Sequence, residues 1–212
     1  MSIQICDLNE YQRLAEETMN PELDANARLG NMVIGLCGES FELFEVFHHH
    51  KSHDEDRQVV YEPPPYRGQV AVDIAEELGD VMWYSSVLVD SLGGKIGDVC
   101  RELFALVPWD SRDVPVGKRP EDSFYAAWVD VCLYSAKIAE KIKKHLYQGH
   151  EFDDATRHLI NAYVVKVVCA VRTMSTILGM SLSEVCHSNV TKLRKRYPGG
   201  KFSAEASVNR AD

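Results

Sequence analysis

Apolar residues in this chain recur every three or four positions, through windows far longer than a strand. Between 25 and 48, Leu29, Met32, Val33, Leu36, Leu43, Val46 and Phe47 fall on one helical stripe. The same period predicts helices over 8–18, 25–48, 70–92, 95–107, 121–148 and 153–178, and a shorter one from Ser181 to Arg196. The first should start near Asp7 or Asn9, and Gly93-Gly94 and Gly179 should act as stops. Three consecutive prolines, Pro63 to Pro65, exclude helix from the polar stretch 51–68. A second break runs from Pro108 to Pro120, and the tail after Pro198 reads as irregular. Alternating β-branched residues are scarce, so the predicted fold class is all-α, a helical bundle.

The two halves of the chain resemble each other. Leu92-Gly93 followed by Asp98-Val99-Cys100 matches Leu178-Gly179 followed by Glu184-Val185-Cys186, at a constant offset of 86 residues. The helices before each Leu-Gly pair then align as well. This predicts a tandem duplication, with repeats over 1–107 and 121–212 packed as one globular unit, an internal pseudo-dimer.

The formal net charge of −9 gives the molecule no broad attraction for nucleic acid or an anionic membrane. A polyanionic substrate would need bound cations or a local basic patch. The six cysteines are scattered without CxxC spacing, which suggests neither zinc nor redox chemistry. Five sit in apolar helical runs, as expected for a reducing, cytoplasmic compartment. No secretory leader is expected from MSIQICDLNEYQ, and no window reads as a membrane span.

Glu39 and Glu42 are three positions apart, as are Glu77 and Asp80. That spacing sets each pair on one helix face, a turn apart. The neighbouring sequence is mostly apolar, Val33 to Cys37 before the first pair and Val81 to Tyr84 after the second. Acids in an apolar face are costly to desolvate unless something positive binds them. Four carboxylates supply the hard oxygen ligands that Mg²⁺ or Mn²⁺ prefers. The same spacing also fits two solvated acidic faces, extended by Glu45 and Glu76.

The segments GLCGESFELFE (35–45) and EELGDVMWY (76–84) resemble the ExxE and ExxD helices of the MazG-like all-α nucleoside triphosphate pyrophosphohydrolases, relatives of the dimeric dUTPases and dCTP pyrophosphatases. NVTKLRKRYPGGKFSAEASVNR (189–210) is similar to the segment that closes many members. The resemblance implies a MazG-like bundle in which Glu39, Glu42, Glu77 and Asp80 hold Mg²⁺, with Mn²⁺ as a substitute. It implies hydrolysis of a (deoxy)nucleoside triphosphate between the α and β phosphates, giving monophosphate and pyrophosphate. It also implies a homodimer or higher homo-oligomer. The chain departs from the family in its long Pro-rich gap between the acidic pairs, in Phe41 where many members have Gly, and in His48-His49 where a lysine pair is common.

In this register Tyr134 and Lys137 fall at the positions of Glu39 and Glu42, and Tyr163 and Lys166 at those of Glu77 and Asp80. A four-carboxylate site cannot form there. Lys166 interrupts the run AYVVKVVCAV, where an internal ion pair would replace the lost metal; Lys137 also fits a solvated face with Glu140, Lys141 and Lys144. Asn189, Lys192, Arg196 and Tyr197 occur only in the second half, where the first half has apolar residues such as Leu103 and Leu106. One working site per chain, assembled from both halves, is therefore expected.

Glu39, or Glu42, would accept the proton of the attacking water. Lys192, Lys195, Arg196 and Lys201 form the basic patch for phosphates, with Asn189 and Tyr197 beside them as substrate contacts. Asn31, two turns before Glu39, resembles an Asn of the dCTP pyrophosphatase branch and is a candidate for base recognition. Trp83 and Tyr84 could stack on a base, though helix-interior aromatics are more often core. His48, His49, His50 and His53 also suit a helix C-terminus without any ligand role. Competing readings are hydrolysis of an alarmone such as ppGpp or of a modified nucleotide, a non-enzymatic nucleotide-binding regulatory module, and a purely structural bundle.

Overall fold

A computed structural model describes residues 7–49, 52–53, 59–60, 66–103 and 120–208. Among them the chain is all-α. The helices are α1 (Leu8–Glu16), α2 (Ala25–His49), α3 (Gln69–Ser91), α4 (Ile96–Leu103), α5 (Pro120–Gln148), α6 (Asp154–Ile177), α7 (Leu182–Arg196) and α8 (Ala204–Val208). The Pro-rich stretch contributes one two-residue antiparallel ladder, β1 (Ser52–His53) with β2 (Val59–Val60).

Three helix starts carry side-chain caps. Asp7 caps α1 by accepting from Glu10 N, and Asp153 caps α6 by accepting from Thr156 N. Ser181 and Glu184 form a reciprocal capping box at α7. The predicted helix over 95–107 is described as far as Leu103, and the Pro108 break lies outside the described residues. The tail is less irregular than expected. After Pro198 it turns into the short helix α8, whose Ser207 meets Tyr197 at 2.7 Å, oxygen to oxygen.

Helices α2, α3, α5 and α6 form the centre of the bundle, with α2 packed on α3, α5 on α6 and α2 on α5. Their inward stripes, including Leu36, Leu43, Leu78, Met82, Ile138, Ile142 and Val164, are almost wholly buried. An aromatic group locks α2 to α5. Phe44 stacks on Trp128, Phe47 meets Phe124 edge-on, and Trp128 Nε1 donates to the Ser40 carbonyl at 2.9 Å. Helix α6 is, among the described helices, the one long and apolar enough to span a membrane, but it is a mostly buried core helix packed on α3, α4, α5 and α7.

The 86-residue offset reappears in backbone geometry. Gly93 (φ 77°) and Gly179 (φ 78°) both take the left-handed conformation that ends α3 and α6. Gly93 N donates to Asp90 O at 2.8 Å and Gly179 N to Thr176 O at 2.9 Å. Gly94 N to Val89 O and Met180 N to Ser175 O are both 2.9 Å. The next helices start at Ile96 and Leu182, again 86 apart.

Among the described residues, helix α1 has no counterpart in that correspondence. It clamps the first of these turns: Gln12 Nε2 donates to Asp90 Oδ1 and Gly94 O, while Gln12 Oε1 accepts from Ile96 N. Arg28 ties α2 to the same corner through Glu16, Asp90 and Ser91.

Candidate metal centre

The ExxE and ExxD spacings place their acids on the facing sides of α2 and α3. Ligand oxygens of Glu39, Glu42 and Glu77 all lie within 4.8 Å of one another. Glu39 and Glu77 are half-buried, and Glu42 stands at the exposed edge. Oxygen Oε2 of Glu77 is buried without a hydrogen-bond partner. Such an atom costs free energy unless a cation or proton satisfies it.

The electrostatics agree with the geometry. Burial pushes the Glu39 carboxyl up to about 8, helped by the charges of Asp80, Glu42 and Glu77. Burial, then the charge of Asp80, raises Glu77 to about 7. Lys192 opposes both shifts. Without a divalent cation, Glu39 and Glu77 thus keep a proton to higher pH than an ordinary carboxyl.

Asp80 is handled differently. Its Oδ1 accepts from Asn189 Nδ2 at 2.8 Å, and its Oδ2 pairs with the Lys192 ammonium. Both partners come from α7, which packs along α3. The helices approach this closely because position 79 is glycine. A Cβ there would stand 2.8 Å from Asn189 Cβ. Tyr11 of α1, fully buried, donates to Asn189 Oδ1 at 2.9 Å, with the Gly79 carbonyl 3.3 Å away. Asp80 of the first half thus meets an amide and an ammonium of the second half. Tyr11 and Gly79 were not singled out in the sequence; a tyrosine on an amphipathic stripe carries no signal of a partner 178 positions away.

The other candidates are spread more widely. Asn31 is exposed on α2, eight residues before Glu39, roughly 12 Å along a helix axis. Lys195 and Lys201 are exposed and Arg196 is half-buried. Tyr197 is buried, with its hydroxyl on Ser207 and its ring near Phe202, so it anchors the tail. Trp83 donates its indole N–H to Ala15 O and Thr18 Oγ1, which makes it part of the α1–α3 contact. The Tyr84 ring lies against Gly35, where a Cβ would come within 2.0 Å of it. The side chains of His48, His49, His50 and His53, and of Leu103 and Leu106, lie outside the described ones.

In the second half, Tyr134 of α5 and Tyr163 of α6 face each other with ring centroids 5.8 Å apart. The Lys137 ammonium sits 5.1 Å from one ring centroid and 5.5 Å from the other. Lys137 is thereby distinct from the solvated pairs that Lys143 and Lys144 make with Glu140. Lys166 differs from expectation: it is exposed, because its position in the apolar run points away from the core, rather than set internally.

Comparison with protein-family models, curated proteins and solved structures finds no match to this chain.

Proposed function

We propose that the chain is a Mg²⁺-dependent nucleotide pyrophosphohydrolase of MazG-like type, with Mn²⁺ as a substitute ion. The observation that carries this reading is the three-carboxylate group around the unpartnered, buried Oε2 of Glu77. The donors fit such an ion: among the described residues the group consists of carboxylate oxygens alone. Glu39, Glu42 and Glu77 would hold the ion, with Asp80 completing the set. When bound, it would neutralise phosphate charge and lower the pKa of water.

The chain's own residues supply the rest. Glu39, half-buried between the other acids, would accept the proton of the attacking water, with Glu42 at the exposed edge as the second candidate. The basic end of α7, Lys192, Lys195 and Arg196, stands on the helix that borders Asp80 and faces the nucleotide's phosphates. Asn31 lies along α2 at a distance suited to the base or sugar of that nucleotide.

We further read the fold as a tandem duplication with one working site per chain. The matched Leu-Gly turns and helix starts support this, as does the tyrosine pair facing across α5 and α6 where glutamates face across α2 and α3. Free cysteines within the helices suit a cytoplasmic setting. The exposed apolar side chains of Ile34 and Phe41 on α2 and Tyr125 and Val129 on the neighbouring α5 suit self-association.

The test is turnover against a panel of nucleoside triphosphates, deoxynucleoside triphosphates and ppGpp with Mg²⁺. At least one triphosphate should be hydrolysed, and Glu39→Gln and Glu77→Gln should each lose activity at least a hundredfold. Activity on ppGpp alone would reassign the substrate, and full activity in both variants would remove this site from the reaction.

A further inference from the structure

The two groups that hold Asp80 are of different kinds. Asn189 is neutral, 2% exposed, and fixed from behind by Tyr11, so its grip on Oδ1 is part of the packed core. Lys192 is charged, sits on a flexible four-carbon stem, and pairs with the other oxygen, Oδ2. The side chains of Lys192 and Asp80 are each 24% exposed, so the pair opens toward solvent rather than being sealed. The amide cannot leave without breaking a buried bond; the ammonium can swing away.

We propose that Lys192 is a tethered cation that keeps Asp80 Oδ2 in place until a divalent ion takes that oxygen, and that the released ammonium then turns to the nucleotide's phosphates. This rests on the metal reading given above and adds an order to it. Lysine and metal compete for one carboxylate oxygen, and the nucleotide meets a free ammonium only after the ion has bound. The physical basis is mutual exclusion: an ammonium and a divalent ion at contact distance repel by several kcal/mol at an effective dielectric near 20. The same lysine would therefore oppose metal binding and favour nucleotide binding.

Calorimetric titration of the full chain with Mn²⁺ alone, at pH 8 and without nucleotide, tests this directly. Lys192→Met and Lys192→Gln should both bind Mn²⁺ more tightly than the unaltered chain, by about tenfold or more. Both variants should bind a nucleotide analogue with a methylene bridge between the α and β phosphates more weakly once Mn²⁺ is present. Lys192→Arg should stay near the unaltered chain in both. Equal or weaker Mn²⁺ binding by the Met and Gln variants, with measurable binding by the unaltered chain, would overturn the competition and leave the metal site standing. No Mn²⁺ binding by any of the proteins would overturn both.

Discussion

The buried hydroxyl of Tyr11 donates to Asn189 Oδ1 at 2.9 Å and so decides which end of that amide faces Asp80. With its oxygen taken, Asn189 can present only its N–H₂, which is the end a carboxylate needs. A residue of the first helix therefore orients an acid of the third through a side chain of the seventh. Tyr11→Phe should cost about 1–2 kcal/mol, since it leaves a buried amide oxygen without a donor. Urea denaturation measures that loss, and turnover should fall with it because Asp80 is less firmly held.

Gly79→Ala should be worse than a helix propensity scale predicts. Alanine normally improves a helix interior, but here its methyl would meet Asn189 Cβ at 2.8 Å. The expected outcome is a loss of about 1–3 kcal/mol in chemical denaturation, the usual cost of overpacking, together with weaker divalent-ion binding as α7 is pushed off α3. A gain in stability would show that the helices separate freely.

The acid group predicts a pH dependence with a definite sign. Glu39 and Glu77 both sit above the ordinary value of 4.5, at about 8 and about 7. A carboxyl raised in the folded state favours folding in its protonated form. That contribution is complete below the unfolded value of about 4.5 and is lost as pH rises through the folded values. The metal-free protein should lose stability between about pH 5 and 8 from this source, and saturating Mg²⁺ should flatten the slope. Binding of Mg²⁺ near pH 6.5 should also release protons, visible as a buffer-dependent heat in calorimetry.

Lys137 should matter little to either stability or chemistry. Its ammonium lies over two partly exposed tyrosine rings, an arrangement with a typical value of about 0.5–1 kcal/mol. Lys137→Met should therefore unfold within about 1 kcal/mol of the unaltered chain and keep its turnover. Lys137→Glu should not create a second metal centre, because Tyr134, Tyr163 and Lys166 still occupy the remaining positions.

Most of the helix map was legible in the sequence, because apolar spacing and Gly, Pro or Ser punctuation report local structure. Ser181, Gly93 and Gly179 each act where the pattern places them. The two acidic pairs were legible for the same reason: a three-residue spacing fixes a helix face before any tertiary contact exists. What the spacing could not show was partner choice. Asn189 read as a substrate contact and Lys192 as a phosphate contact, yet both are engaged with Asp80, a pairing that depends on the close approach permitted by Gly79. Likewise Trp83 sits beside the acids in sequence, but its indole is turned to α1. Helix α8 was missed because five residues give too short a window for any period to show.

On the proposed function, the acid group of α2 and α3 would carry out metal-dependent cleavage of a nucleoside triphosphate between its α and β phosphates. Phosphorus NMR of the purified chain with its best triphosphate, with Mg²⁺ and then with excess EDTA, measures this directly. Monophosphate and pyrophosphate should appear in equal amounts with Mg²⁺, and neither product with EDTA or in Glu77→Gln. Release of orthophosphate and a diphosphate, or no cleavage of any triphosphate, would contradict it.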